Sequence, residues 1–477
     1  MLPDESMQTP RDILSRLWTT GGGDPAALND VTLTGQEPIL PSSFRVAAAA
    51  QVTIAAAGLA AAQIWRARSG EAQTVSVDML HAAIECRSER YLRVDDKPPP
   101  PAWDAIAGVY KTDNGRFVRL HTNFPHHRDN VCKVLGCKPE RDDVQRALMQ
   151  WEAEKFETGA YAGGCVVAMM RSHDEWLATP QGQEIEKLPL LTIEKIGEAD
   201  PKPYPALRPK GDRSLSGLRV LDLSRVIAGP VAGRTLAGHG ADVMLVASPD
   251  LPTIPWLVID TGRGKLSTFI DLKTAHGRDT LRHLLASADI FSQGYRPRSL
   301  AALGFSPEDA ARIRPGIVYV SLSAYGHAGP WAGRRGFDSL VQTTTGFNHA
   351  EGQAAGVDGP KELPAQMLDH TTGYLMAFGA MMAKARQARE GGSWHVRVSL
   401  AQTGRWLWNL GRLENGLSTP DTKGETVKPY IEKCTSGFGV LGAVRHSALM
   451  SKTPAHWTRP AMPLGSHEPV WPSLEVN

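Results

Sequence analysis

Asp369 stands near the head of a helix-forming segment that this chain contains twice, and only one copy has a carboxylate there. The run from Asp369 through Trp394-His-Val-Arg-Val-Ser-Leu400 aligns without a gap on Ala48 to Met79. Ala56, Gly58, Ala67, Arg68, Gly70, Val75 and Val77 meet identical residues at Ala377, Gly379, Ala388, Arg389, Gly391, Val396 and Val398. These matches fall on a small-residue helical face, a glycine stop and an alternating strand, so one structural unit is used twice. Where the second copy has Asp369, the first has Ala48. Two chemistries suit an aspartate at a helix start. It can accept bonds from the free amides of the first turn as a cap, or it can attack an acyl carbon, since the positive helix end favours the ionised form.

Other reactive side chains offer less. His370, beside the aspartate, reads as a helix-start surface residue, and His126 and His127 show no ligand spacing and read as surface residues too. Trp406 and Trp408 read as packing the second copy against its neighbour. The five cysteines (Cys86, Cys132, Cys137, Cys165, Cys434) are odd in number and form no Cys-x-x-Cys pair, which points to reduced thiols, a cytoplasmic location and no metal site.

The elements that must position these residues follow from composition and period. A 477-residue chain with 42% hydrophobic and 21% charged residues is an ordinary globular protein, and a net charge of +2 gives no sign of nucleic-acid binding. Val46 to Trp65 is long enough to raise a membrane span, but its alanines, Gln51, Thr53 and Gln63 predict a packed, buried helix and no membrane partner. The polar, acidic start Met1-Leu-Pro-Asp-Glu-Ser6 is unlike a signal peptide. Five regions result: a truncated first module at 1–96, a small α+β domain at 97–200, a proline-rich linker at 201–216, an α/β domain at 217–416 and a tail at 417–477 packing on the main domain. Within the small domain, Asp113-Asn-Gly115 predicts the turn of a hairpin between Gly108 and Leu120. From Leu218 the texture alternates. Buried strands are expected at 218–223, 242–246, 288–291 and 317–321, with helices near 230–239, 276–286 and 307–313, which implies a parallel sheet covered on both faces. The loop Ser224-Arg-Val-Ile-Ala-Gly-Pro230 follows the first strand, where a dinucleotide fold puts its phosphates. It lacks Gly-x-Gly-x-x-Gly, and no acid ends the second strand, which argues against a nicotinamide enzyme.

The stretch Leu218-Arg-Val-Leu-Asp-Leu-Ser-Arg-Val-Ile-Ala-Gly-Pro230, then Leu236–Val243, Gly264–Leu272, Gly294-Tyr-Arg-Pro297, Leu322–Pro330 and the Asp369 helix resemble the family III CoA-transferases (CaiB/BaiF type), which include formyl-CoA and carnitine CoA-transferases and α-methylacyl-CoA racemases. The resemblance spans about 217 to 405. It implies a Rossmann-like α/β CoA-binding domain with a smaller α+β domain, coenzyme A or an acyl-CoA as substrate, a carboxylic acid as the other partner and a homodimer, which in the family is intertwined. It implies that Asp369 attacks a thioester to give an aspartyl-acyl anhydride. By the same resemblance Val226, Ile227, Arg263, Lys265, Gly294, Tyr295, Arg296, Tyr325 and Gly326 contact CoA. Family racemases carry a Gly-His-Asp motif; here it reads Gly336-Phe337-Asp338, which disfavours a racemase unless His327 or His370 substitutes. A non-catalytic CoA-binding homologue is the third reading. The order of parts departs from the family: the small domain follows the aspartate-free copy, so the duplication is partial and its parts are permuted. That puts the intertwined dimer in doubt, because a fused half-module can replace it.

Overall fold

The structure, a computed structural model, describes residues 8–208 and 211–473; the start of the chain read above and Pro209-Lys210 of the linker lie outside the described residues. The fold is α/β. Its seven-stranded sheet runs, edge to edge, Lys265–Phe269, Asp242–Ala247, Arg219–Leu223, Ile290–Gln293, Val318–Ser323, Ser393–Ser399 and Leu191–Gly197. All neighbours are parallel except the last pair. Strands such as Arg219–Leu223 are nearly all buried because helices cover both faces, which is why they read as apolar runs and not as alternating ones. The helices expected between them form at Ala228–Gly238, Ala275–Leu285 and Pro307–Ile313. Leu191–Gly197 escapes the sequence reading: its pattern is mixed because it is an antiparallel edge strand with only one residue buried, four half-buried and two exposed.

The two copies have the same anatomy. Val46–Ser69 and Met367–Glu390 are both 24-residue helices, almost wholly buried in their first four turns, and they pack against each other. Each ends on a glycine with positive φ, Gly70 at 77° and Gly391 at 70°, whose N–H donates to the carbonyl four residues back. Only glycine takes this conformation without strain. Midway along each helix a glycine lies under the first matched valine of the following strand. A Cβ on Gly58 would come within 3.0 Å of Val75 Cγ1, and one on Gly379 within 2.6 Å of Val396 Cγ1. Each strand then enters another helix through a side-chain cap, Asp78 accepting from the His81 amide and Ser399 from the Gln402 amide. The shared glycines and the first shared valine are thus the ones that let helix and strand close on each other.

Their surroundings differ. Ser393–Ser399 lies in the large sheet, whereas Val75–Asp78 pairs with Val31–Thr34 and with Ala448–Met450 of the tail. The tail therefore joins the first copy as well as the main domain, where Trp457 Nε1 donates to Arg234 O at 2.9 Å and Trp471 Nε1 to Leu284 O at 3.0 Å. Among the described residues Val46–Ser69 is the one helix apolar and long enough to cross a membrane, and 94% of that apolar window is buried inside the protein. Gly108–Lys111, Phe117–Leu120 and Val167–Met169 form the small domain's sheet, backed by helices Pro125–Leu135, Arg141–Leu148 and Ala153–Ala162. Trp408 packs against Phe44 of the first module and stacks on His173, with ring centroids 5.0 and 3.7 Å away.

Candidate active site

The strand order reverses at Arg219–Leu223: the chain runs outward through Asp242–Ala247 and Lys265–Phe269 on one side, then returns to Ile290–Gln293 on the other. Such a switch opens a crevice beyond the strands' carboxyl ends. A cleft of about 350 Å³ lies there, between the loops that follow Leu223 and Gln293, the loop before Asp338, and the small domain. Val226, Gly294, Tyr295 and Arg296 line it, with Asp369 among the other lining residues. Val226 holds φ at 73°, the left-handed region, where a β-branched residue costs on the order of 1–3 kcal/mol. The helix Ala228–Gly238 starts at this loop with no side-chain cap, and Ala228 lines the cleft, so free first-turn amides stand at its edge.

Asp369 is not the helix cap. Gln366 occupies the cap position, and the Asp369 amide donates to Asp338 Oδ2 at 2.9 Å. Asp338 is wholly buried and also accepts from the Gln342 side chain. The capping work thus falls to Asp338, and Asp369, 7% exposed, presents its carboxyl to the cleft. Burial, then the charges of Asp338 and Glu89, push the Asp369 pKa well above the carboxylate range. Burial also lifts Asp338, to about 6, against the bonds from the Asp369 amide, Gln342 and the Leu368 amide. Because those donors favour its charged form, Asp338 ionises first and Asp369 keeps the last proton of the pair.

His370 is corrected from surface to core. It is 1% exposed, and its Nε2 lies 3.0 Å from Glu89 Oε2. Glu89 comes from the first module, on the short helix Ser88–Tyr91. That helix is locked to the main domain by Ser88, whose hydroxyl donates to Asp260 Oδ2 at 2.6 Å, the carboxylate that also takes Arg234 at 2.7 Å. Burial raises Glu89, but the charge and hydrogen bond of His370 bring it below its ordinary value. His127 is likewise buried, at 5% exposure, and lines the cleft, whereas His126 beside it is exposed on the rim. Histidines and phenylalanines pack together here: His121 stacks on Phe337 at 3.8 Å, and His127 meets Phe124 edge-on at 5.4 Å.

Arg263 and Lys265 do not reach the cleft. Both are 2% exposed. Arg263 pairs with Asp260 at 3.2 Å, and Lys265 with Asp222 and the Pro230 carbonyl, each at 2.8 Å. Ile227 is buried at the helix start behind Val226. Tyr325 and Gly326 lie behind the wall, where Tyr325 is 1% exposed, its carbonyl takes the Gln181 amide at 2.7 Å, and Gly326 abuts Ile185. Sequence reasoning missed Asp338 as a partner, Glu89, His127 and the cleft arginines Arg225, Arg334 and Arg335. Asp338 sits inside a motif that was read, but Glu89 has no local signal because its role depends on docking across the chain.

The profile described as CoA-transferase family III matches residues 215–430, which hold the sheet, the cleft loops and Asp369. That segment is similar to CoA-transferase family III. Similar chains include an acetyl-coenzyme A transferase of Hypoxylon pulicicidum, 30% identical over 63% of this chain and 54% of its own. An acyl-CoA transferase of Gibberella moniliformis is 27% identical over 82% of this chain and 75% of its own. A solved structure of Rv3272 from M. tuberculosis matches at 29% identity and a TM-score of 0.40, covering 42% of this chain and 57% of that one. This chain spans about half the length of the first relative.

Proposed function

We propose that this protein moves coenzyme A between an acyl-CoA and a carboxylic acid, with Asp369 as nucleophile. The observation that carries the reading is the division of labour at the helix start: Asp338 caps the amide, and Asp369 is left free toward a cleft built largely from the segment that matches CoA-transferase family III. An Asp369 oxygen attacks the thioester carbonyl, the C–S bond breaks, and the thiolate leaves with its electron pair, giving a mixed anhydride. The thiolate then attacks the aspartyl carbonyl and expels the donor acid as its carboxylate. The acceptor's carboxylate attacks the resulting aspartyl thioester, and the released thiolate takes the acceptor's acyl group, restoring Asp369. Splitting one exchange into such acyl transfers is what covalent catalysis offers. Val226, Gly294, Tyr295, Arg296 and the uncapped amides of Ala228–Gly238 are the CoA contacts in this reading. Phe337 against His121 leaves no proton carrier at the motif position that a racemase uses. We assign the chain to the cytoplasm and to a homodimer in which the docked first module, with Glu89, completes each site from within the same chain.

The test is a panel of acyl-CoA donors and acid acceptors read by mass spectrometry. New acyl-CoA species are expected with the natural chain and not with Asp369→Asn. No exchange with any pair would defeat the reading.

A further inference from the structure

Cations outnumber acids in the cleft, and of its four arginines only Arg334 pairs with a carboxylate among the described residues. Arg225, Arg296, Arg334 and Arg335 line it with His126 and His127, and Asp369 is the one acid among the lining residues. Arg334 is taken, pairing with Glu157 at 3.1 Å. Arg225 donates to the Pro252 carbonyl and lies over Phe124, and Arg335 reaches only the Gly164 carbonyl at 3.2 Å. Among the described residues no carboxylate lies within ion-pair distance of Arg335. His127 stands beside it, 95% buried, with Nδ1 that no group bonds. An orphaned N–H is rarer than an orphaned lone pair, so the proton belongs on Nε2. Burial, then His126, Arg335 and Arg225, hold this imidazole neutral, down to about 3, and Arg335 itself is lowered by burial and by Arg296. Asp129 is the acid facing His126, and it leaves the balance positive. A guanidinium with no carboxylate partner and an imidazole whose Nε2–H donates to no group among the described residues are the parts of an oxyanion seat.

We infer that Arg335 and His127 form an oxyanion subsite on the small-domain side of the cleft, which takes a second anionic group of the bound substrates while Asp369 reacts with the acyl carbon. It rests on the CoA-transfer reading for the word substrate, though not for the binding itself. The anion has two sources: a distal carboxylate on the acid, or a phosphate of CoA.

Binding separates them without turnover. Calorimetry with succinate against butyrate, glutarate against pentanoate, and CoA against dephospho-CoA is run on the full chain and on Arg335→Gln and His127→Phe, the latter keeping the aromatic packing. In the natural chain the diacids are expected to bind roughly tenfold tighter than the monoacids, the scale of one charge-assisted bond, and the advantage to shrink below about twofold in both variants. If the CoA over dephospho-CoA ratio collapses instead, the seat holds a CoA phosphate. Unchanged ratios for every pair in two folded variants would overturn the subsite. Absence of CoA exchange with these ratios intact would defeat the transfer reading alone.

Discussion

Two helices of one design share this molecule, and only one of them is loaded for chemistry. Both receive an amide cap from a carboxylate upstream: Glu37 Oε1 accepts from the Ala48 amide at 3.1 Å, and Asp338 Oδ2 from the Asp369 amide at 2.9 Å. In the first copy Glu37 is neutralised by Arg45 at 2.7 Å, and Ala48 is fully buried. In the second, no arginine pairs with the capping Asp338 among the described residues, and a second carboxyl stands beside it at the cleft. The capped-helix scaffold is thus a packing solution, and the reactive carboxyl is an addition that strains its electrostatics.

The comparison breaks most sharply at its odd residue. Asp369→Asn should lower CoA exchange by roughly a thousandfold or more, about 4 kcal/mol of barrier, with CoA affinity nearly kept. A variant within tenfold of the natural chain in a steady-state assay would reduce Asp369 to a structural residue. The reciprocal change, Ala48→Asp, buries a carboxyl against Glu37 and should cost about 3 kcal/mol or more in urea unfolding without adding activity.

The shared glycines sharpen the comparison at the level of packing. Gly379→Ala should destabilise by about 1–3 kcal/mol, because its Cβ would meet Val396 at 2.6 Å. Gly58→Ala, with contacts of 3.0 Å, should cost less. Equal melting temperatures for the two variants would show that the copies yield alike.

The electrostatic difference gives a pH signature. Asp369 has a folded pKa raised above the unfolded value of about 3.9, so the unfolded chain loses the proton first and stability falls as pH rises through that window until Asp369 itself ionises. Asp369→Asn should therefore melt higher than the natural chain at pH 8, with the gain fading toward pH 4. Activity runs the opposite way, rising with pH as the nucleophile ionises. Glu89→Gln removes one of the charges that raise it and should move the acidic limb of kcat/KM to lower pH, the smallest effect of the set.

Much of this was legible in the chain. The repeat, the glycine stops, the parallel strands from Arg219 to Ser323 and the hairpin at Asp113–Gly115 follow local period and turn chemistry, which the structure keeps. Asp369 was singled out by the repeat, but its two roles could be separated only once Asp338 was seen to take the amide. Arg263 and Lys265 are expected to contact CoA because a resemblance in sequence says nothing of burial; Asp260 of the preceding helix and Asp222 of another strand consume them. His370 and His127 failed for the same reason, their burial being set by Glu89 of the first module and by Phe124 and Phe337.

The central claim is that Asp369 becomes covalently acylated. The protein is mixed with an acyl-CoA donor in heavy water, quenched with hydroxylamine, digested, and the peptide holding Asp369 is read by mass spectrometry. The account predicts a hydroxamate at Asp369, free CoA in matching amount, and no deuterium at the α-carbon of recovered donor. Rapid α-deuteration with Asp369 unmodified would contradict it.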